Sequence, residues 1–411
     1  MVAGLVYKIF RLSLFSIIII ITLTNCNNEL KMLKLKGDGK SDDTKALQTL
    51  LQKGGKIKIP KGVYLISSTI MIYPKELEVS AYGATFIAAP NSTYNLISVK
   101  APNLKFIWKG GTFDGNKSFQ KYPGHPKSEF NSKWKQTVTN NGILGNQNFE
   151  AEYVLIEDVT LRNFVSDGIC IRADEAIIRN CKAYDSALPI DKYPQAFKFR
   201  SDGIPEYQKR TFKLENCHAE KVYIGMGVAS KEVGKNTKLF IDDFSSINTI
   251  KSSIHLEHIA HAKIRNIDCS AEDGDYSSRI HVGNQNISFE LSDFYIKGGF
   301  IRGPKKSKRF SIKNGKIENS RKFEYAIFHG MKVKKGEIEQ VVIKQCNRGI
   351  RAHNVLSCTV EDAEDYAFER VKLLKNSETK NVKYGSLKCD KIENSKISSK
   401  INKKSNKKTN K

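Results

Sequence analysis

Two periodicities are interleaved along most of the chain. Apolar and polar residues alternate with period two in short runs, the pattern of strands that bury one face. On a longer scale an apolar residue, any residue, and then Asn, Asp or Gln recurs at steps mostly of 21 to 31 residues. The third position of that triplet is Asp158, Asn180, Asn216, Asp243, Asn266, Asp293, Asn314, Gln345 and Asp362 in turn. Between these positions runs a second ladder of alternating segments, among them Phe197-Lys198-Phe199-Arg200, Ile254-His255-Leu256-Glu257 and Ile350-Arg351-Ala352-His353. Short strands closed by polar bends, repeated many times, predict a β-solenoid. Few runs are long enough for helices, which argues against a helical repeat. One coil cannot bury its own inner face, but a stack of coils shares a continuous core. Crossovers between parallel strands are overwhelmingly right-handed, so the coil is expected to be right-handed. The fold class is therefore all-β: a single right-handed parallel β-helix with a short N-terminal capping helix.

The first coil needs a lid. Ser41-Asp42-Asp43 can cap a helix through Ala46, Leu47, Leu50 and Leu51 that ends at Gly54-Gly55. Strands are expected at 56–59 and 63–66, divided by the turn Pro60-Lys61-Gly62. Gly37-Asp38-Gly39, Ser41-Asp42-Asp43-Thr44, Ala46, Gln48 and then Ile59-Pro60-Lys61-Gly62-Val63-Tyr64 resemble the opening of the pectate lyase superfamily. That group includes rhamnogalacturonase/epimerase-like β-helices and relatives of glycoside hydrolase family 28. Gly110-Gly111-Thr112-Phe113-Asp114-Gly115-Asn116 is similar to its next landmark. The resemblance implies carbohydrate-active chemistry without naming a reaction, because the fold hosts lyases, hydrolases, epimerases and binders.

Composition adds a compartment and a partner. Lys8 and Arg11 precede an apolar run at 12–23, short for a membrane span but right for a signal-peptide core. It ends in Leu23-Thr24-Asn25-Cys26, which resembles a bacterial lipobox with Cys26 as the lipidated residue. The expected division is a signal peptide at 1–25, a linker at 26–34, the β-helix at 35–395 and a disordered Lys-rich tail at 396–411. The protein is expected in the cell envelope, at the outer membrane, held by its lipid. Net charge is +25, and setting aside two cations of the leader and seven of the tail still leaves +16. That surplus favours an acidic polysaccharide; nucleic acid would fit the charge but not the export signal. Of eight Cys, Cys181, Cys217 and Cys269 share the context Cys-x-Ala, which suggests reduced thiols stacked in the core. No metal cluster is expected, because no CxxC pair exists.

Candidate chemistry sits on the second ladder. With alternate residues outward, its exposed column reads Arg172, Lys198, Arg200, His255, Glu257, Arg279, His281, Arg302, His329, Arg351 and His353. β-Elimination on a uronate needs a cation for the carboxylate, a base for the C5 proton and an acid for the leaving oxygen. Arg200 and Arg279 suit the first task, and His255 or His281 suits the others because imidazole titrates near neutrality. Lys198 is a further base if neighbouring charges lower its pKa. Glu257 can orient a histidine or bind Ca²⁺, the one cofactor the sequence raises. Arg172, Arg302, His329, Arg351 and His353 would bind substrate along the groove. A segment with Tyr122, Pro123, His125, Pro126 and Trp134, and the positions Tyr193, Pro194 and Tyr207, could line it. Family hydrolases carry Asn-Thr-Asp, Asp-Asp and Gly-His-Gly motifs. Here Ser166-Asp167-Gly168-Ile169 only partly resembles the first, Asp167 reads as a turn residue, and Asp242-Asp243 falls on the rung ladder. A lyase is thus expected ahead of a paired-carboxylate glycosidase, with a non-catalytic glycan binder as the remaining alternative.

Overall fold

The computed structural model describes residues 34–399 apart from 92–94, 102–103, 121–141, 146–150, 166, 187–193, 201–208, 230–233, 258, 273–275, 284–287, 331 and 383–386. The expected signal, Cys26 and most of the linker lie outside the described residues, as do Tyr122, Pro123, His125, Pro126, Trp134, Tyr193 and Tyr207. Among the described residues 34 strands form one continuous system, and each strand pairs in parallel with its counterpart one coil away. This is the right-handed parallel β-helix expected from the sequence.

Three ladders make the walls. One begins Gly55–Lys58, Glu76–Ser80, Leu104–Lys109, Ala151–Glu157 and Ala173–Arg179. A second runs through Gly62–Ile66, Ala84–Ala88, Thr112–Asp114, Thr160–Arg162 and Lys182–Tyr184. From Arg210–Glu220 to Lys332–Cys346 these two fuse into single long strands, such as Gly234–Ile247 and Ile259–Ser270, and they separate again at Asn354–Leu356 and Thr359–Ala363. The third ladder is the one with the candidate residues: Asp167–Ile171, Gln195–Arg200, Ile224–Ala229, Ser252–Leu256, Ile280–Val282, Ile301–Arg302, Ile327–Phe328 and Ile350–Arg351.

The recurring Asn and Asp residues bend the chain between the first two ladders. Asp158, Asn180, Asn216, Asp243, Asn266, Asp293 and Asn314 all have φ between 48° and 58°, the left-handed region that Asn and Asp tolerate best after Gly. Stacked bends also bond to one another: Asn216 Nδ2 donates to Asn180 Oδ1 at 2.9 Å, and Asn180 Nδ2 to Asp158 Oδ1 at 3.1 Å. The last two members of the sequence ladder do not belong here. Register continues the bend through Gln340, Ser357, Asn376 and Asn394, whereas Gln345 and Asp362 stack beneath Asn319 at the opposite end of the second ladder. Both corners demand the same backbone conformation and recruit the same residue types, so the sequence pattern slips from one to the other. The coil also outlasts its expected end at 395, because Lys396–Ser399 pairs with Glu378–Val382.

The core is one stack. Phe86 and Phe113 stack at 4.8 Å and Phe199 and Phe212 at 4.9 Å, all fully buried. The helix Thr44–Leu51 lids the first coil with Leu47 and Leu51, both 0% exposed. Asp43 holds the N-cap position, but its carboxylate accepts instead from the backbone of Lys36 and Gly37 at 2.7 and 3.0 Å. Asp42 caps the first turn, accepting from the Thr44 amide at 3.0 Å. All seven described Cys are free thiols, and Cys181, Cys217 and Cys269 are buried in the stack as expected.

The bend at Asn216 gives a test. Asn216→Val, forcing a β-branched residue into the left-handed region, should cost about 2 kcal/mol, while Asn216→Gly should stay within about 0.5 kcal/mol of the parent. Urea denaturation of the two variants checks this.

Candidate functional site

Strand register sets the order of side chains on the outward face of the third ladder. The column reads Cys170, Lys198, Gly227, His255, His281, Arg302, Phe328, Arg351, each residue directly opposite the next. Neighbouring strands in a sheet lie about 4.8 Å apart, so His281 has His255 on one side and Arg302 on the other. The two imidazoles stack with centroids 4.6 Å apart and planes 8° apart. Glu257, two residues beyond His255, meets His255 Nε2 with Oε1 at 3.0 Å. Arg279 enters the same cluster just ahead of His281, donating through Nε to Ser252 Oγ at 3.0 Å, its guanidinium 5.8 Å from the Phe300 ring. Arg302 lies 6.0 Å from the Phe328 ring. Five of the sequence candidates thus converge: His255, Glu257, Arg279, His281 and Arg302.

His281 departs from the expected near-neutral titration. Burial, reinforced by His255, Arg279 and Arg302, pushes its pKa down to about 3. The ring is therefore neutral across the working range of the protein. Glu257 is the open member of the cluster, its side chain 47% exposed against 13% for His255. One nitrogen from each ring and a Glu257 oxygen lie within 4.8 Å of one another, making these three residues the one group of potential metal ligands among the described residues.

Lys198 is not the exposed base that the alternating pattern suggests. It is 6% exposed, and its Nζ lies 2.7 Å from Oδ2 of Asp167, which is wholly buried. Burial pulls the ammonium pKa down, but the Asp167 carboxylate outweighs it and the pKa ends above the ordinary lysine value. Lys198 is held charged. Asp167 in turn is a strand residue, not a turn residue, and its Oδ1 accepts from the Gln195 amide at 3.0 Å. The sequence missed this pair because strict alternation fails at the head of the strand: Ala196 and Phe197 are consecutive and both fully buried. Gln195 was missed too. Its carboxamide lies over Gly227, where a Cβ would fall 2.2 Å from Oε1, and that buried oxygen has no hydrogen-bond partner.

The remaining candidates separate from the cluster. Arg172 and Arg200 are half-buried at the far ends of their strands, and the Arg200 carbonyl accepts from Arg210 at 3.2 Å. Arg351 is cut off from Arg302 by Phe328 and sits 5.8 Å from the Tyr325 ring. His329 and His353 are not on the outward face at all, being 1% and 6% exposed. Ile327 faces inward, so alternation turns Phe328 out and His329 back in; His353 lies beyond the end of Ile350–Arg351. His329 Nδ1 bonds the Gly330 carbonyl at 2.9 Å and Nε2 accepts from the His353 amide at 3.2 Å. Both histidines are thus buried in the wall and not on the outward column.

No family model and no curated protein matches the chain. Solved structures do. It is similar to PfbA, a surface adhesin of Streptococcus pneumoniae, at 13% identity over 90% of this chain and 92% of that one, with a TM-score of 0.54. The N-terminal fragment of bacteriophage Phi29 gene product 12 matches at 15% identity over 92% and 73%, TM-score 0.53. A hyperthermoactive exopolygalacturonase from Thermotoga maritima matches at 15% identity over 88% and 89%, TM-score 0.51. At such identities the likeness is one of fold, and the fold is the one that the resemblance to pectate lyases implies.

The buried ion pair makes a sharp prediction. Asp167→Ala should destabilise the protein by about 3–5 kcal/mol, because the buried, charged Lys198 would lose the carboxylate 2.7 Å from its Nζ. Asp167→Leu combined with Lys198→Met should cost much less. Equal losses in the single and the double variant, measured by denaturation, would mean that the two residues are not coupled.

Proposed function

We propose that this protein acts on an acidic, uronate-containing polysaccharide and cleaves it by β-elimination. The observation that carries this reading is the cluster around His281, where two arginines, two stacked imidazoles and one half-open carboxylate share a single outward face. Arg279 and Arg302 are placed to neutralise a uronate carboxylate, which acidifies the C5 proton. The His255–Glu257–His281 cluster takes that proton. The C4–O bond then breaks, C4 and C5 become doubly bonded, and the cluster passes the proton it took from C5 to the departing oxygen. The surplus positive charge outside leader and tail favours encounter with a polyanion, which the two arginines then hold at this face.

Hydrolysis would need a second carboxylate across the glycosidic bond. Among the described residues of this face, Glu257 belongs to the cluster and Asp167 is bonded to Lys198. That one solved β-helix of this fold is an exopolygalacturonase supports a polysaccharide as substrate; that another is a surface adhesin keeps a binding role as the competing reading. The export signal read at 1–25 and the lipid site at Cys26 would hold the protein outside the cytoplasm, at the outer membrane, where such polymers are met.

Polygalacturonate, alginate and glycosaminoglycans are the substrates to try. The unsaturated uronate absorbs in the ultraviolet, so a rising absorbance reports elimination, while new reducing ends without it report hydrolysis. Retention on a glycan column with no product would favour the binder. Against the substrate that turns over, Arg279→Ala should lower kcat/KM by about 10²–10³-fold and His255→Ala by about 10²–10⁴-fold. Undiminished activity in both would place the site elsewhere. Metabolic labelling with palmitate in a bacterial host should mark the parent and not Cys26→Ala; equal labelling would refute the anchor.

A further inference from the structure

We infer that His255, Glu257 and His281 bind one divalent first-row transition ion, of the zinc or manganese type. The role of that ion in turnover rests on the reading above, but the site does not. Its two histidines come from adjacent strands fixed in register, with Gly227 before them and Arg302 after them, and Glu257 directly follows the strand of His255. The sheet therefore sets the spacing of the two rings. One nitrogen from each ring and one carboxylate oxygen already lie within 4.8 Å of one another.

A second, independent observation points to a missing ligand. Nδ1 of His255 and Nδ1 of His281 are both buried without a hydrogen-bond partner. Buried polar atoms are normally satisfied, and an orphan in a folded protein calls for a water or an ion. At three other described histidines the same nitrogen has a partner. Nδ1 of His218 meets Ser245 Oγ at 2.8 Å, Nδ1 of His261 meets Ser288 Oγ at 2.8 Å, and Nδ1 of His329 meets the Gly330 carbonyl at 2.9 Å. The two rings with an unpartnered Nδ1 are the two that stack. A half-turn of an imidazole about its Cβ–Cγ bond exchanges the nitrogen it presents, so either nitrogen of each ring can ligate.

The donor set selects the ion. Ca²⁺ takes six to eight oxygen ligands, whereas two imidazoles and a carboxylate suit Zn²⁺, Mn²⁺ and their neighbours. Bonds of about 2.0–2.2 Å require the donors to close inward. Glu257 has the freedom to do so, with its side chain 47% exposed. That same exposure leaves open positions on the ion for a substrate carboxylate or a water, as catalytic metal sites require. Arg279 and Arg302 oppose a bare cation, but Arg279 is tied to Ser252 and lies near the Phe300 ring, and Arg302 lies near the Phe328 ring. A uronate carboxylate would offset their charge. With the ion in place, a coordinated water takes over the proton-accepting task of the cluster.

The test is isothermal titration of the full chain, stripped with chelator, against Zn²⁺ alone and Ca²⁺ alone, with elemental analysis of the dialysed protein. One equivalent of zinc is expected, with binding at least about tenfold weaker, or about 1.4 kcal/mol, in His281→Ala and in Glu257→Gln. His261→Ala should bind as the parent does, and Ca²⁺ should not compete. Circular dichroism and melting curves separate lost binding from lost fold, and Glu257→Gln, half exposed, is the variant expected to keep the fold intact. No stoichiometric zinc, or zinc bound equally by His281→Ala and Glu257→Gln, would overturn the site. Zinc bound at the cluster without product from any uronate polymer would support the site and remove the polysaccharide reading. Full turnover by a stripped protein that binds no zinc would do the reverse.

Discussion

Parallel strands stacked in register put every side chain about 4.8 Å from its counterpart on the next coil, and most of this structure follows from managing that distance. Inside, the spacing is favourable: aromatic rings stack on aromatic rings, as Phe86 does on Phe113. At the corners it lets Asn216 bond Asn180 and Asn180 bond Asp158, so the bends hold one another. On the outer face it is a liability, because two like charges at that distance repel. The column beside the cluster shows how the repulsion is avoided. Gly227 separates Lys198 from His255, His281 is neutral, and Phe328 separates Arg302 from Arg351. Cations and spacers alternate where the sequence suggested a column of Arg, Lys and His broken only by Glu257.

That alternation concentrates the chemistry. Lys198 is neutralised by Asp167 from within the wall, and Arg351 lies against Tyr325 two strands beyond Arg302. What remains between them is a compact patch with His281 at its centre, held by register on the strands and by Ser252, Phe300 and Phe328 around the arginines. A polyanion approaching this face meets two guanidinium groups and the stacked rings of His255 and His281, not a diffuse field. The low pKa of His281 is a product of the same geometry, since burial and three flanking basic groups all oppose its protonation.

Much of the fold was legible because two simple periods encode it. Alternation marks strands, and left-handed Asn and Asp mark bends. Legibility failed where two corners ask for the same residue: Gln345 and Asp362 read as the next members of one ladder but belong to the other. It failed again where alternation breaks. Consecutive burial of Ala196 and Phe197 hid the Asp167–Lys198 pair, and counting outward from Ile327 turns His329 into the core. The cluster itself was named residue by residue in the sequence, apart from Ser252, Gln195 and the aromatic rings beneath the arginines. Those partners carry no motif. They are defined by which strand lies beside which, and only the register supplies that.

The central claim is that recognition resides in the position of Arg279 and Arg302 and not in the net charge of the protein. It is tested most directly by measuring the binding of a short uronate oligosaccharide to two double variants that lose the same charge. One is Arg279→Ala with Arg302→Ala; the other is Lys263→Ala with Lys308→Ala, which removes two exposed cations from a different ladder. The first should abolish binding and the second should leave Kd within about twofold of the parent, the small effect of screened surface charges. Equal weakening by both would contradict the claim and would reduce the cluster to one part of a uniformly basic surface.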